Sequence, residues 1–482
     1  MNRYSQAVAC LLILVAVAQG ATWNVSTFSG LTSAISSASN GDAILLAPGQ
    51  YHVTSNLYIT KTLTFQGTSG DRDDVVLYGN GMNVNSGPAE GIWTAANGIQ
   101  IKDLTVKGFY NHGIHVCDAA NGLADDVVIS NVTIQNCGER YIKGSGTGIS
   151  RNVLVDNVHF LQTETYLPRP SHPVDTNNYI GGIDAMHTDN WTIRDCRFDG
   201  IYGATGGGRG AIFLWNGCTN ATIEGNVIVN CAEGINLGNG HNTSGGYHAE
   251  DAVVRNNTIV QYGADNRPVQ LGYTRNIDFY NNTIYTPNNS NRAIHIYDSA
   301  AVPSSNVLLT NNLIRGNILN STGGAVFANN ITGATADASW FANVATGDLH
   351  LTAAATGAIN QGIALPQVPT DMDGSARASS PDIGADERSL HGGDANKDGK
   401  VDVVDLGVLA KYYDTAAGAT WATADFSGDG AVNVVDLGVL AKNYDWVGTP
   451  AGAVPEPCSM TLLALGGLAL LRRRAGRDRL PR

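Results

Sequence analysis

An eight-residue pattern recurs along the chain and limits its fold more than any other feature. It reads apolar-x-apolar-x-(Asn/Asp)-(often Asn)-x-apolar and begins at Ile99 (IQIKDLTV). It returns at Val127 (VVISNVTI), Val153 (VLVDNVHF), Trp191 (WTIRDCRF), Ala221 (ATIEGNVI), Ala252 (AVVRNNTI), Ile277 (IDFYNNTI) and Val307 (VLLTNNLI), and more weakly at Ala325 (AVFANNIT). Positions one and three share a side, as the two-residue period of a strand requires. Position five holds Asn131, Asn157, Asn256, Asn281 or Asn311, or else Asp103 or Asp195. These residues tolerate the left-handed backbone of a tight corner, and stacked amides can hydrogen-bond in a ladder.

A second short strand follows each corner. These are Gly113-Ile114-His115, Gly148-Ile149-Ser150, Gly182-Ile183-Asp184, Ala211-Ile212-Phe213, Gly234-Ile235-Asn236, Pro268-Val269-Gln270 and Ala293-Ile294-His295. The first eight copies start 25 to 38 residues apart, so loops of varying length enter at fixed corners. Propeller blades would carry hairpin signals at a longer period, and leucine-rich repeats a leucine ladder. A parallel solenoid remains, its coils one strand spacing apart.

Residues 21–388 resemble the secreted right-handed parallel β-helix proteins of the pectate-lyase-like superfamily. The stretch from Gly41 to Tyr51, with its Pro48-Gly49 turn, is similar to their opening coil. The stretch from Asp348-Leu349-His350-Leu351 to Pro381-Asp382-Ile383-Gly384-Ala385-Asp386-Glu387 is similar to the closing segment of many exported, anchored members. The resemblance implies an all-β solenoid and selects no activity.

Two acidic loops follow, 31 residues apart, within residues 389–446. The first offers Asp394, Asn396, Asp398, Lys400, Asp402 and Asp405; the second offers Asp425, Ser427, Asp429, Ala431, Asn433 and Asp436. Oxygen-bearing side chains at loop positions one, three, five, nine and twelve, with Gly399 or Gly430 at six, match an EF-hand calcium loop. Lys400 and Ala431 would contribute backbone carbonyls. Each loop runs into nearly the same helix, DLGVLAKYYD from Asp405 and DLGVLAKNYD from Asp436. Asp in place of Glu at position twelve, with a single helix after each loop, resembles type I dockerins, which implies calcium and a cohesin partner. The positions that select a cohesin there correspond to Val403-Val404 with Lys411 and Val434-Val435 with Lys442. Valines depart from the hydroxyl pair common in that family, so a calcium-stabilised spacer stays open as an alternative.

The two ends read as addresses. Arg3 and the apolar run from Ala7 to Ala18, with small residues before Ala21, read as a signal peptide over residues 1–20. A dozen apolar residues is short of the ~20 that a bilayer needs. In residues 447–482, Val454-Pro455-Glu456-Pro457, an apolar stretch and Arg472-Arg473-Arg474 resemble a PEP-CTERM sorting signal. That implies an exosortase-type processing enzyme and an exported, extracellular or cell-surface protein with transient membrane association. A plain C-terminal anchor is the alternative. The net charge of −13 argues against nucleic acid as a partner. Seven cysteines without paired spacing read as buried fillers rather than a disulfide framework.

On the second strands, the residue after the buried Ile or Val faces outward, which gives a stripe of His115, Ser150, Asp184, Phe213, Asn236, Gln270 and His295. Cys117, Asn152, Met186, Trp215 and Tyr297 lie two residues further on. Polar groups flanked by rings suit a polysaccharide, with Phe213, Trp215, Asn236, Gln270, His295 and Tyr297 as binding residues. Long loops at residues 161–181 and 238–251 are candidate walls. The candidate catalytic set is His115, Asp184, His187 and Arg209. In a lyase on a uronate-containing polymer, His115 or His187 is the base, Arg209 stabilises the enolate, and Asp184 orients or binds calcium in the groove. A glycoside hydrolase needs two carboxylates about 5–9.5 Å apart, with Asp189 or Glu233 as partner to Asp184. A non-catalytic, carbohydrate-binding or adhesive surface protein is the third reading. Neither the Asp-Asp and Gly-His-Gly motifs of polygalacturonases nor the Arg-x-Pro-x-x-Arg pattern of common pectate lyases occurs.

Overall fold

The computed structural model describes residues 20–116, 124–144, 148–169, 175–240, 246–263, 267–388, 391–396, 400–427 and 429–445. Residues 1–19 and 446–482, on which the signal-peptide and sorting-tail readings fall, and Cys117 and Asp398 lie outside the described residues. The chain divides into two compact units, with the boundary between Glu387 and Arg388. No helix among the described residues is long and apolar enough to cross a membrane.

The first unit is a parallel β-helix. Most repeats contribute a strand on each side of the corner, as in Leu154–Asp156 and His159–Leu161 around Asn157, while Gln100–Lys107 and Val128–Gln135 run through it unbroken. These strands pair in parallel from coil to coil, so one 23-stranded sheet wraps the corner. A separate ten-stranded sheet forms the remaining face and runs from Leu57–Ile59 to Ile318–Asn320. In register, Ile101, Ile129, Val155, Ile193, Ile223, Val254, Phe279 and Leu309 stack as one interior column, all 0% exposed. Each such side chain contributes about 1.5–3 kcal/mol on burial, so the column alone is a large share of the driving force. Ile114, Ile142, Ile183, Ile212, Ile235, Val269 and Ile294 form a second column behind the ten-stranded sheet.

The corner residues take the left-handed backbone, with φ of 56° at Asp103, 51° at Asn131, 52° at Asn157 and 57° at Asn311. Their amides stack as expected, Asn131 donating to Asp103 at 2.7 Å and Asn329 to Asn311 at 3.0 Å. The tighter ladder lies one residue further on, inside the core. Asn226 donates to Asn257 at 2.8 Å, Asn257 to Asn282 at 2.9 Å, Asn282 to Asn312 at 3.1 Å and Asn312 to Asn330 at 2.8 Å. Cys196 occupies the same position one coil earlier, and its Sγ accepts from the Val158 amide at 3.5 Å. Cys137, Cys196, Cys218 and Cys231 are all buried and unpaired as disulfides.

The ends of the solenoid are covered. The helix Phe28–Ser37, N-capped by Thr27, drops Leu31 and Ala34 into the first coils. The closing segment builds a side core around Phe341, Leu349, Leu351 and Ile383. Arg377 there donates to Asn256 at 2.9 Å and pairs with Glu387 at 3.3 Å, which ties this segment to the corner row.

One repeat assignment needs correction. The strand of the ten-stranded sheet between His112–Val116 and Gly181–Met186 is Arg140–Gly144, not Gly148-Ile149-Ser150. Ile149 is 46% exposed, and Ser150–Arg151 pairs with Thr188–Asp189 in the large sheet. Ser150 and Asn152 therefore leave the outward stripe, and Lys143 takes the place given to Ser150.

In the second unit, the helices Val403–Tyr412 and Val434–Asn443 each start at a capping box, Asp402 with Asp405 and Asn433 with Asp436. Val401, Leu409, Phe426, Val432 and Leu440 form their shared core. Val403, Val404, Val434 and Val435 are all more than half exposed.

Candidate functional site: an outward groove on the ten-stranded sheet

The register of the ten-stranded sheet places Trp93, His115, Lys143, Asp184, Phe213, Asn236, Gln270 and His295 in one row across successive coils. A second row runs three residues earlier, with His112, Arg140, Gly181, Gly210 and Glu233 aligned or adjacent in register. Arg267 and Arg292 hold the same offset from Gln270 and His295. The two residues between the rows both face inward: Tyr141 with Ile142, Ala211 with Ile212, and Ala293 with Ile294 are all 0% exposed. Simple alternation fails here because each strand begins directly after a turn.

Two clusters result. In the first, Asp184 is 3% exposed and accepts from Arg140 Nε at 2.6 Å, Lys143 Nζ at 3.1 Å and Trp215 Nε1 at 3.1 Å. Burial opposes its ionisation, but Lys143 and Arg140 outweigh this and hold the carboxyl well below the usual range. Burial in turn lowers Lys143, despite the nearby Asp184. His115 Nδ1 lies 2.9 Å from Glu90 Oε2, and its ring stacks on Trp93 at 4.1 Å. Tyr58 stacks on the far side of Trp93 at 5.2 Å. Burial, and then His115 and Lys143, keep His112 well below the ordinary histidine value. Burial raises Glu139.

Arg169, from the loop at residues 161–181, lies at this end of the groove. Arg169 is 4% exposed, lies 3.8 Å over the Tyr110 ring, donates to Met82 O at 2.8 Å and pairs with Glu139 at 3.4 Å. Only glycine at 138 leaves room, since a Cβ there would fall 1.6 Å from the Arg169 guanidinium.

The second cluster is a cavity of about 340 Å³ that gathers Arg209, Phe213, Asn236, Gln270, His295 and Tyr297. All six are residues that the sequence proposed for the site. Glu233, offered by the sequence only as a hydrolase partner to Asp184, and Arg267 and Arg292, which it did not place there, also line it. Glu233 pairs with Arg267 at 3.2 Å and accepts from the Asn236 amide. Burial, with Arg292 and Arg267 nearby, lowers His295; burial raises the Tyr297 phenol above its usual value. Their ring centroids lie 5.0 Å apart. Gly272 makes room for the phenol, as a Cβ there would meet the Tyr297 ring at 2.2 Å.

The four residues proposed as one catalytic set are therefore divided. Asp184 and His115 stand in the first cluster and Arg209 in the second. His187 leaves the groove, for it occupies a corner with φ of 51° and hydrogen-bonds Asn216 at 3.2 Å. Trp215 joins the clusters, bonded to Asp184 and 5.6 Å from the Phe213 ring. In the loop at residues 238–251, His248 is buried and accepts from the Asn239 amide at 2.8 Å, so it serves the loop rather than the groove.

A larger cleft of about 670 Å³ lies on the big sheet, lined by Arg72, Lys107, Asn157, His159 and Arg197 among others. Three of these groups are already engaged: Arg72 donates to Asn157, while His159 and Arg197 both bind Asp199 at 2.8 and 2.7 Å.

The family model "Right handed beta helix region" matches residues 90–263, and "Dockerin type I domain" matches residues 392–444. The first segment thus folds as a right-handed β-helix, and the second is similar to a type I dockerin domain. No curated protein matches the chain. Among solved structures, pectate lyase Pel9A is 15% identical at a TM-score of 0.49, over 74% of this chain and 90% of that one. An alginate lyase from Paenibacillus sp. str. FPU-7 is 17% identical at 0.37, over 64% and 99%. A mannuronic acid specific polysaccharide family 6 lyase from human gut microbiota is 12% identical at 0.35, over 64% and 80%.

Proposed function

We propose that the protein is an exported lyase that cleaves a uronate-containing polysaccharide in the groove of the ten-stranded sheet. The observation that carries this reading is the 340 Å³ cavity, which Arg209, Arg267 and Arg292 line together with His295 and Tyr297, with Arg267 and Arg292 near the His295 ring. Arginine binds a sugar carboxylate in bidentate fashion and makes the neighbouring C–H more acidic. His295, held neutral, takes that proton. The bond to the leaving sugar oxygen breaks, a carbon–carbon double bond forms, and Tyr297 gives its proton to the oxygen. No water is consumed. Asn236 and Gln270 hold hydroxyls, and Phe213 offers a ring face.

His115 is less suited to be the base, because Glu90 holds its Nδ1 and Trp93 covers its face. Asp184, saturated by Arg140, Lys143 and Trp215, suits an orienting role better than calcium binding. A hydrolase would need two carboxylates free to share acid and base roles. Asp184 is locked by cations and Glu233 by Arg267 and Asn236, so the lyase is the stronger reading.

The second unit fits calcium. Asp405 accepts the Ala395, Asn396 and Asp402 amides, and Asp436 accepts those of Phe426, Ser427 and Asn433, which leaves oxygen-rich loops closed on buried carboxylates. Gly430, with φ of 81°, makes the sharp turn at position six. Bound calcium would tie each loop to its helix through Asp394, Asn396, Asp402 and Asp405, and through Asp425, Ser427, Asp429, Asn433 and Asp436. The exposed valine pairs then meet a cohesin-type partner. The sorting tail adds processing by an exosortase-type enzyme at the cell surface.

The test is to incubate the full chain with pectate, alginate and other uronate polymers and follow ultraviolet absorbance of an unsaturated product. Product formation supports the lyase. Retained polymer binding without any product would favour the adhesive protein.

A further inference from the structure

The first cluster holds an arrangement that the lyase chemistry does not use. Glu90, His112 and His115 each direct one ligand atom into a common space, with those atoms within 4.8 Å of one another. His112 Nε2 stands 3.9 Å from Glu90 Oε1 and 3.8 Å from Glu139 Oε2. Those gaps are too long for hydrogen bonds. They are close to the roughly 3.3–3.6 Å between neighbouring ligand atoms of an ion bound tetrahedrally at about 2.0–2.2 Å. His112 itself is 8% exposed, and its Nδ1 is buried with no hydrogen-bond partner. Nε2, which faces two carboxylates without hydrogen-bonding either, is the nitrogen that a bound cation would satisfy.

We infer that Glu90, His112 and His115 form a zinc site, with the Glu139 carboxylate standing beside His112. Two imidazole nitrogens exclude a calcium-type ligand set, and mixed nitrogen and carboxylate donors suit a borderline cation. Two carboxylates offset its charge. The ligands come from two successive coils, Glu90 just before Ile92–Thr94 and both histidines from His112–Val116, and Glu139 from the next coil adds a nearby negative charge. The ion staples these coils at one end of the groove. Its existence does not depend on the lyase reading.

The full-length protein, stripped with chelator and then saturated with calcium to fill the dockerin loops, is titrated with zinc. One zinc per chain is expected, with a raised unfolding temperature, and cobalt in its place should give the visible absorption of a tetrahedral site. His112→Asn and His115→Asn should each weaken zinc at least about 100-fold. Glu90→Gln, which keeps shape and polarity, should weaken it while circular dichroism stays unchanged. Absent zinc binding, or binding that survives all three substitutions, overturns the site. A chain that cleaves polymer but holds no zinc loses this inference alone. One that holds zinc at these residues but cleaves nothing loses only the lyase.

Discussion

Arg140 and Asp184 lie on adjacent coils and meet at 2.6 Å, with side chains only 2% and 4% exposed. Arg140 also packs 4.1 Å over the Tyr179 ring. The pair is therefore part of the floor of the groove and not of its open surface. Asp184→Asn should leave Arg140 and Lys143 as buried, uncompensated cations, at a cost of about 3–5 kcal/mol. Denaturant unfolding of the variant measures this directly. A loss within experimental error of zero would mean that water reaches the pair.

The two Asn rows should respond differently to substitution. Asn257→Ala removes the acceptor for both the backbone and side-chain amide of Asn226 and the donor to Asn282, all inside the core. A loss of about 2–4 kcal/mol is expected, one to two buried groups being left unpaired. Asn157→Gly, at an exposed corner with φ of 52°, should change stability by less than about 1 kcal/mol, since glycine adopts that backbone freely. Equal effects would contradict the division between ladder and corner.

The repeat pattern made the columns, the corners and the Asn stacking legible, because each depends only on a two-residue period and a left-handed turn. It also gathered the six pocket residues from Arg209 to Tyr297. What it missed follows from three physical causes. Gly148-Ile149 imitates the second-strand pattern while lying in a turn, and this hid Tyr141-Ile142-Lys143. The second outward row, with His112, Arg140, Arg267 and Arg292, sits three residues before the first because two consecutive residues face inward. Alternation cannot show such a row. Glu90 comes from a coil that precedes the first clear repeat.

The closing segment should make stability depend on pH. Burial works against His350, but hydrogen bonds to Asp373 at 2.8 Å and to Asp348 raise it from 6.5 to about 9. Burial raises Asp386 from 3.8 to about 7. Both groups bind protons more tightly in the folded chain, so stability falls as pH rises. The window runs from 3.8 to 7 for Asp386 and from 6.5 to 9 for His350. His350→Gln should cost on the order of 2 kcal/mol below about pH 6.5 and little above about pH 9. Melting curves across that range check it; a gap independent of pH would contradict it.

Gly272→Ala should displace the Tyr297 ring and close the pocket while the interior columns stay intact. Polymer cleavage is expected to fall by at least about 100-fold, the scale of losing a positioned acid, with circular dichroism unchanged. Unaltered cleavage would remove Tyr297 from the site.

The most direct test of the central claim is the kinetics of His295→Gln on whichever uronate polymer the chain cleaves. The account predicts a kcat reduced by about 10²–10⁴-fold with KM nearly unchanged, as expected for loss of a general base. It also predicts a wild-type rate that rises with pH through a value below 6.5, the histidine being lowered by burial and by Arg292 and Arg267. A variant that cleaves at the wild-type rate would place the chemistry elsewhere on the solenoid.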